Sequence, residues 1–166
     1  ATTPSWTTSQ VNVLPPKVLL ESITLFNNYF YAVDSDLNGY SSTNGINWTK
    51  ENSNIYNIVG ILPNETSTTD SLLVITKNSA GKYVFAKTLN LKTLEEVKTV
   101  SNNPNSNEIV KEFSAKGFST TTIYDRNNLN NNVLTITGGT DLNGNQSNLT
   151  WTLRIGDNRL EVASNQ

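Results

Sequence analysis

Ser42-Thr43-Asn44-Gly45-Ile46-Asn47-Trp48 reads as a hairpin turn with its own fastenings. The short side chain of Asn44 suits the capping of backbone amides, Gly45 tolerates a positive φ, and Trp48 offers a large ring to pack beneath the turn. Ser42, Asn44, Gly45 and Trp48 are therefore expected to fix one hairpin rather than to do chemistry.

Moving outward from Trp48, the same order of features recurs twice. Aligning Trp48 with Leu94 and Leu160 places an aromatic residue upstream of each, namely Tyr40, Phe85 and Trp151, opening the last strand of a unit. Before these stand apolar strands: Tyr29-Phe30-Tyr31-Ala32-Val33, Leu72-Leu73-Val74-Ile75 and Val133-Leu134-Thr135-Ile136. Earlier still come Ile23 to Phe26, Ile55 to Gly60 and Phe118 to Tyr124. A period of roughly 45 to 65 residues suits a four-stranded blade with loop insertions.

The strand runs are rich in β-branched and aromatic residues: Ser22–Phe26, Tyr29–Val33, Asn54–Leu62, Leu72–Thr76, Lys82–Lys87, Phe118–Tyr124, Val133–Thr137 and Leu149–Ile155. Asn27-Asn28, Asn78-Ser79-Ala80-Gly81 and Asn127 to Asn132 punctuate them as turns. Leu89 to Val100 carries Leu91, Leu94 and Val97 at helical spacing, yet in the repeat it takes the place of a strand-turn-strand. The expected fold is all-β: antiparallel four-stranded blades of a β-propeller, in one domain over residues 1–166. Its units span approximately 15–50, 51–100 and 109–164, with 1–14 as the outer strand of a further blade. Three units fall short of the four to eight of a closed ring, so a homodimer or the remainder of a longer chain is expected to complete it. A β-sandwich is the alternative, because period-two strands and turns do not separate the two.

Composition narrows the function. Of 166 residues, 36% are hydrophobic and only 16% charged, so solubility comes from neutral Asn, Ser and Thr, which favour turns over helices. A net charge of −2 gives no attraction for nucleic acid, and no apolar run is long enough for a membrane-spanning helix. Cysteine and histidine are both absent, which removes disulfides, thiolate metal sites and the usual general base.

The order of these motifs resembles a known kind of protein. Ser42 to Trp48 is similar to the Asp-box of sialidase-like propellers, with Asn44 where Asp is usual. Lys116-Gly117-Phe118-Ser119-Thr120-Thr121, then Thr137-Gly138-Gly139-Thr140-Asp141, Asn143-Gly144-Asn145 and Trp151-Thr152, resembles kelch-like blades of a Bacteroides-type exported lipoprotein family of unknown function. The third unit departs from that pattern, since Ile155-Gly156-Asp157-Asn158-Arg159-Leu160 lacks the tryptophan. The resemblance implies an exported protein, in the periplasm or on the outer cell surface, lipid-anchored through a segment ahead of Ala1.

Catalysis is not expected. Sialidase chemistry needs arginines converging from several blades, and this chain has only Arg126, Arg154 and Arg159, the last two near one hairpin. Glu95 and Glu96 are adjacent and point to opposite sides of a strand, so they form no glycosidase pair. Asp34-Ser35-Asp36-Leu37-Asn38-Gly39 opens like an oxygen-ligand calcium loop, but Gly45 stands where the bidentate Glu belongs. Asp34, Asp36 and Asn38 remain candidates for a smaller calcium site, against the reading of a plain polar turn. The expected function is a non-enzymatic binding or scaffolding module that recognises glycan or protein, with Tyr29, Tyr31, Tyr40, Tyr56 and Tyr83 as candidate contacts. The alternative is a non-catalytic fragment of a glycoside-processing enzyme whose active site lies elsewhere.

Overall fold

Two asparagines set the first hairpin. Asn27 and Asn28 both take positive φ, at 48° and 62°, the backbone of a two-residue turn whose twist matches that of the strands it joins. It connects β1 (Leu20–Phe26) to β2 (Tyr29–Asp34) and pairs Phe26 with Tyr29. The structure is a computed structural model that describes residues 20–62, 69–81, 83–100, 119–123, 127, 132–140, 144–146, 150–156 and 159–165.

β3 (Gly39–Ser42) and β4 (Thr49–Asn52) complete a four-stranded antiparallel sheet in the order β1-β2-β3-β4. The second sheet repeats that order with β5 (Ile55–Leu62), β6 (Ser71–Lys77), β7 (Tyr83–Thr88) and the short β8 (Glu95–Glu96). In the third, β10 (Ser119–Ile123), β11 (Val133–Thr137), β12 (Thr150–Gly156) and β13 (Arg159–Asn165) run antiparallel. β9 (Lys98–Val100) joins that sheet parallel to β13, so these three residues, placed in the second unit by the sequence, belong to the third sheet.

The apolar run in β6 explains the stacking. Leu72, Leu73, Val74 and Ile75 are all at most 1% exposed, and alternate residues of a strand point to opposite faces, so both faces of the middle sheet are covered. Leu72 and Val74 share a core with Phe26, Tyr31 and Val33 of the first sheet. Leu73 and Ile75 share another with Leu134, Ile136, Trp151, Leu153 and Ile155 of the third. Each buried aliphatic side chain contributes about 1.5–3 kcal/mol, which makes these two interfaces the main cohesive force. β5 touches β1 and β2 on one side and β10 on the other. The Thr120 hydroxyl donates to the Val59 carbonyl at 3.0 Å, tying the leading strands of the second and third sheets together.

The third sheet keeps a polar outer face: Leu134 and Ile136 are buried, while Thr135 and Thr152 are half-buried and Thr137 and Arg154 exposed. Residues 89–94 form no helix. Leu91 and Val97 are buried because each faces a different core, which reproduces a helix-like spacing without helical backbone.

Candidate functional site

Chain reversals at one end of the first two sheets are locked by side chains. The Ser42 Oγ accepts from the amides of Gly45 at 2.9 Å and Asn44 at 3.3 Å. The Asn44 Oδ1 accepts from the amides of Ile46 and Asn47, each at 2.9 Å. Gly45 sits at φ 73°, and the Trp48 indole N–H donates to its carbonyl at 3.0 Å while the ring packs with Ala32 and Tyr40.

The second sheet carries the same device in different residues. The Thr88 Oγ1 accepts from the amides of Leu91 at 2.9 Å and Asn90 at 3.3 Å, and the Asn90 Oδ1 accepts from the Lys92 amide at 2.9 Å. Leu91 replaces the glycine and holds φ at 65°, a left-handed conformation that costs a leucine about 1–2 kcal/mol. Its side chain is fully buried, and its carbonyl accepts from Asn52 Nδ2 at 3.0 Å, so packing offsets the strain. Sequence reasoning missed this turn. Aligning Leu94 with Trp48 also aligns Thr88 with Ser42 and Asn90 with Asn44, and that correspondence was the available signal.

The tyrosines divide sharply. Tyr31 and Tyr40 are 3% and 1% exposed, which removes both as ligand contacts: each lies on a strand face covered by its neighbours. Burial, then the charges of Tyr29 and Glu51, pushes the Tyr31 phenol up. Tyr56 and Tyr83 meet edge-to-face at 4.9 Å, half-buried against the core shared with the third sheet, and Lys77 Nζ lies 5.1 Å from the centre of the Tyr83 ring. Tyr29 alone among the five is exposed, at 43%.

The acidic turn is closed on itself. Asp34 is 1% exposed, and its Oδ1 accepts from the amides of Asp36 and Asn38, both at 2.9 Å. Its Oδ2 accepts from Asn38 Nδ2 at 3.1 Å and from the Tyr40 hydroxyl at 2.8 Å. Both oxygens thus face N–H and O–H donors, the opposite of what a cation requires. Burial first, then the hydrogen bond to Asp34 and its charge, raises the Tyr40 phenol to about 12, which keeps it a donor. Calcium at millimolar concentration is accordingly expected to leave the melting temperature unchanged, and a rise of several degrees that Asp34→Ala abolishes would contradict this reading.

Beside the second locked turn lies a groove of about 560 Å³ whose walls include Thr69, Ser71, Asn90 and Thr93 together with the Lys87–Glu95 ion pair at 3.7 Å. Leu89, 50% exposed, forms its apolar lip. The Tyr31 hydroxyl donates to the Leu89 carbonyl at 3.3 Å, and the Tyr29 ring lies 6.1 Å from that of Tyr31. Tyr29 thus stands one ring away from the residue that bonds the Leu89 backbone, outside the groove wall itself. A smaller groove of about 260 Å³ at the other end of the sheet is self-satisfied: Asn54 Nδ2 donates to the Lys77 carbonyl at 2.9 Å and the Thr76 hydroxyl to the Asn54 carbonyl at 2.7 Å.

Successive four-stranded antiparallel sheets, stacked face to face with their leading strands adjacent, define a protein of the β-propeller class. Residues 1–159 match the family described as DUF6242 beta propeller domain, and the chain belongs to that family. Neither the curated proteins nor the solved structures provide a match.

Proposed function

We propose that this chain is a non-enzymatic binding or scaffolding module of an exported bacterial protein, acting at the periplasm or outer surface through the turn end of its first two blades. The observation that carries the reading is exposed Leu89 at the lip of a groove of hydroxyl and amide groups, with exposed Tyr29 stacked near Tyr31, whose hydroxyl bonds the Leu89 carbonyl, since exposed apolar side chains at a groove mark interaction sites. The locked turns, read here as Asp-boxes, serve this role by making the rim rigid, which lowers the ordering cost of binding.

The titratable groups described around the turns and the groove support binding over catalysis. Asp34 and Tyr40 are committed to each other in the interior, and Lys87, Glu95, Lys92 and Glu51 stand in ion pairs. Aryl glycosides and sialosides are expected to pass through the purified chain unchanged; sustained hydrolysis that tracks the protein through purification would overturn the assignment. Binding is tested on isolated bacterial envelope material. Tyr29→Ala combined with Leu89→Ala should lose retention on it without a change in melting temperature, and full retention of the double variant would contradict the site.

A further inference from the structure

We propose that the groove beside Leu89 is a subsite for an uncharged sugar; the proposal rests on the binding reading above and names its ligand class. Charge decides against an anion. The cation among the described residues of the groove wall, Lys87, has a side chain only 17% exposed and already paired with Glu95 at 3.7 Å, and Lys92 is paired with Glu51 at the same distance. Among the described residues, a carboxylate or phosphate entering here meets no uncompensated positive charge, and it would need to displace Glu95 to find one.

The remaining polar surface suits hydroxyl groups, which donate and accept at once. Ser71 and Thr93 supply groups of the same dual character. Asn90 supplies a fixed donor: its Oδ1 is held by the Lys92 amide at 2.9 Å, which orients the side chain and leaves Nδ2 as the group a ligand can use. A site that presents such groups pre-positioned rejects ligands lacking the matching partners, because its own donors would be left unpaired.

The apolar face of a sugar ring finds its counterpart in Leu89, 50% exposed at the groove's lip. The hydroxyl of Tyr31, a residue of the core shared by the first two sheets, donates to the Leu89 carbonyl at 3.3 Å, so the lip is anchored to that core. A volume of about 560 Å³ falls in the range of small-molecule sites.

The test titrates the isotopically labelled 166-residue chain with neutral di- and tetrasaccharides of glucose, galactose, mannose and N-acetylhexosamines, and in parallel with uronate-containing and sialylated sugars, following backbone amides by NMR. At least one neutral sugar is expected to shift the amides of Leu89 to Glu95. Leu89→Ala, and independently Thr93→Ala, should weaken it about tenfold with the melting temperature unchanged, equivalent to about 1.4 kcal/mol. Shifts produced by anionic sugars alone, shifts centred on Tyr56 and Tyr83 instead, or no shift by any sugar would overturn the subsite. Retention on envelope material that still depends on Tyr29 and Leu89 would in that case leave the broader binding role standing, whereas its loss would remove both.

Discussion

Trp48→Ala is expected to lower stability by about 3–5 kcal/mol, the cost of emptying a large aromatic site in a core. The ring is 4% exposed and packs with Ala32, Tyr40 and the half-buried Phe30, while its N–H closes the turn on the Gly45 carbonyl. Trp48→Phe separates the two contributions: most of the packing survives, and the loss should approach the roughly 1 kcal/mol of one hydrogen bond plus the volume difference. Denaturant melts measure both, and a loss below about 1 kcal/mol for the alanine variant would show that the ring does not hold the hairpin.

Asp34→Ala should cost about 3 kcal/mol or more, through a different mechanism. It leaves the Asp36 and Asn38 amides and the Tyr40 hydroxyl without their acceptor, and a buried donor stripped of its partner loses about 1–3 kcal/mol. The effect carries a pH signature. Burial raises the Asp34 carboxyl, but hydrogen bonds from Asn38, Tyr40 and Asp36 outweigh it and hold the group below its ordinary value. The carboxylate's contribution is therefore complete above the usual carboxylate range, near pH 4, and disappears as the pH falls through the lower folded-state value. At the alkaline end the raised Tyr40 contributes fully below its ordinary pKa and its share is lost as pH rises through about 12. Urea melts across the acid range should show the gap between the parent chain and Asp34→Ala narrowing as the pH falls below the ordinary carboxylate range, and a gap that stays constant would contradict the assignment.

What the sequence reveals depends on how much apolar surface an element buries. β2, β5, β6, β7, β11 and β12 are legible because their alternating or continuous apolar residues serve one or two cores. β4 (Thr49-Lys50-Glu51-Asn52) and β8 (Glu95-Glu96) escape because short outer strands with no apolar face carry no period, and their position is set by pairing with β3 and β7. β9 is unreadable for another reason: its partner β13 is far along the chain, and a parallel pairing of that kind leaves no local trace.

The candidate site is legible only in part. Period two tells which tyrosines share a strand face, but which face another sheet will cover is a tertiary fact, so Tyr31 and Tyr29 look alike in sequence and differ from 3% to 43% in exposure. The second locked turn is hidden because Leu91 stands at a positive φ where glycine is the expected signal, and only the burial of its side chain explains how the chain tolerates it. The acidic loop has the spacing of a cation site, yet its oxygens are already satisfied by donors that no spacing rule records.

One middle blade separates two distinct cores, and methyl-resolved NOE measurements test this most directly. The structure predicts contacts from Leu72 and Val74 to the Val33 group, and from Leu73 and Ile75 to the Leu134 and Ile136 groups, with none joining Val33 to Leu134 or Ile136. Strong contacts between Val33 and Leu134 or Ile136 would place the outer sheets against each other as in a two-layer sandwich, and would contradict the stacked-blade account.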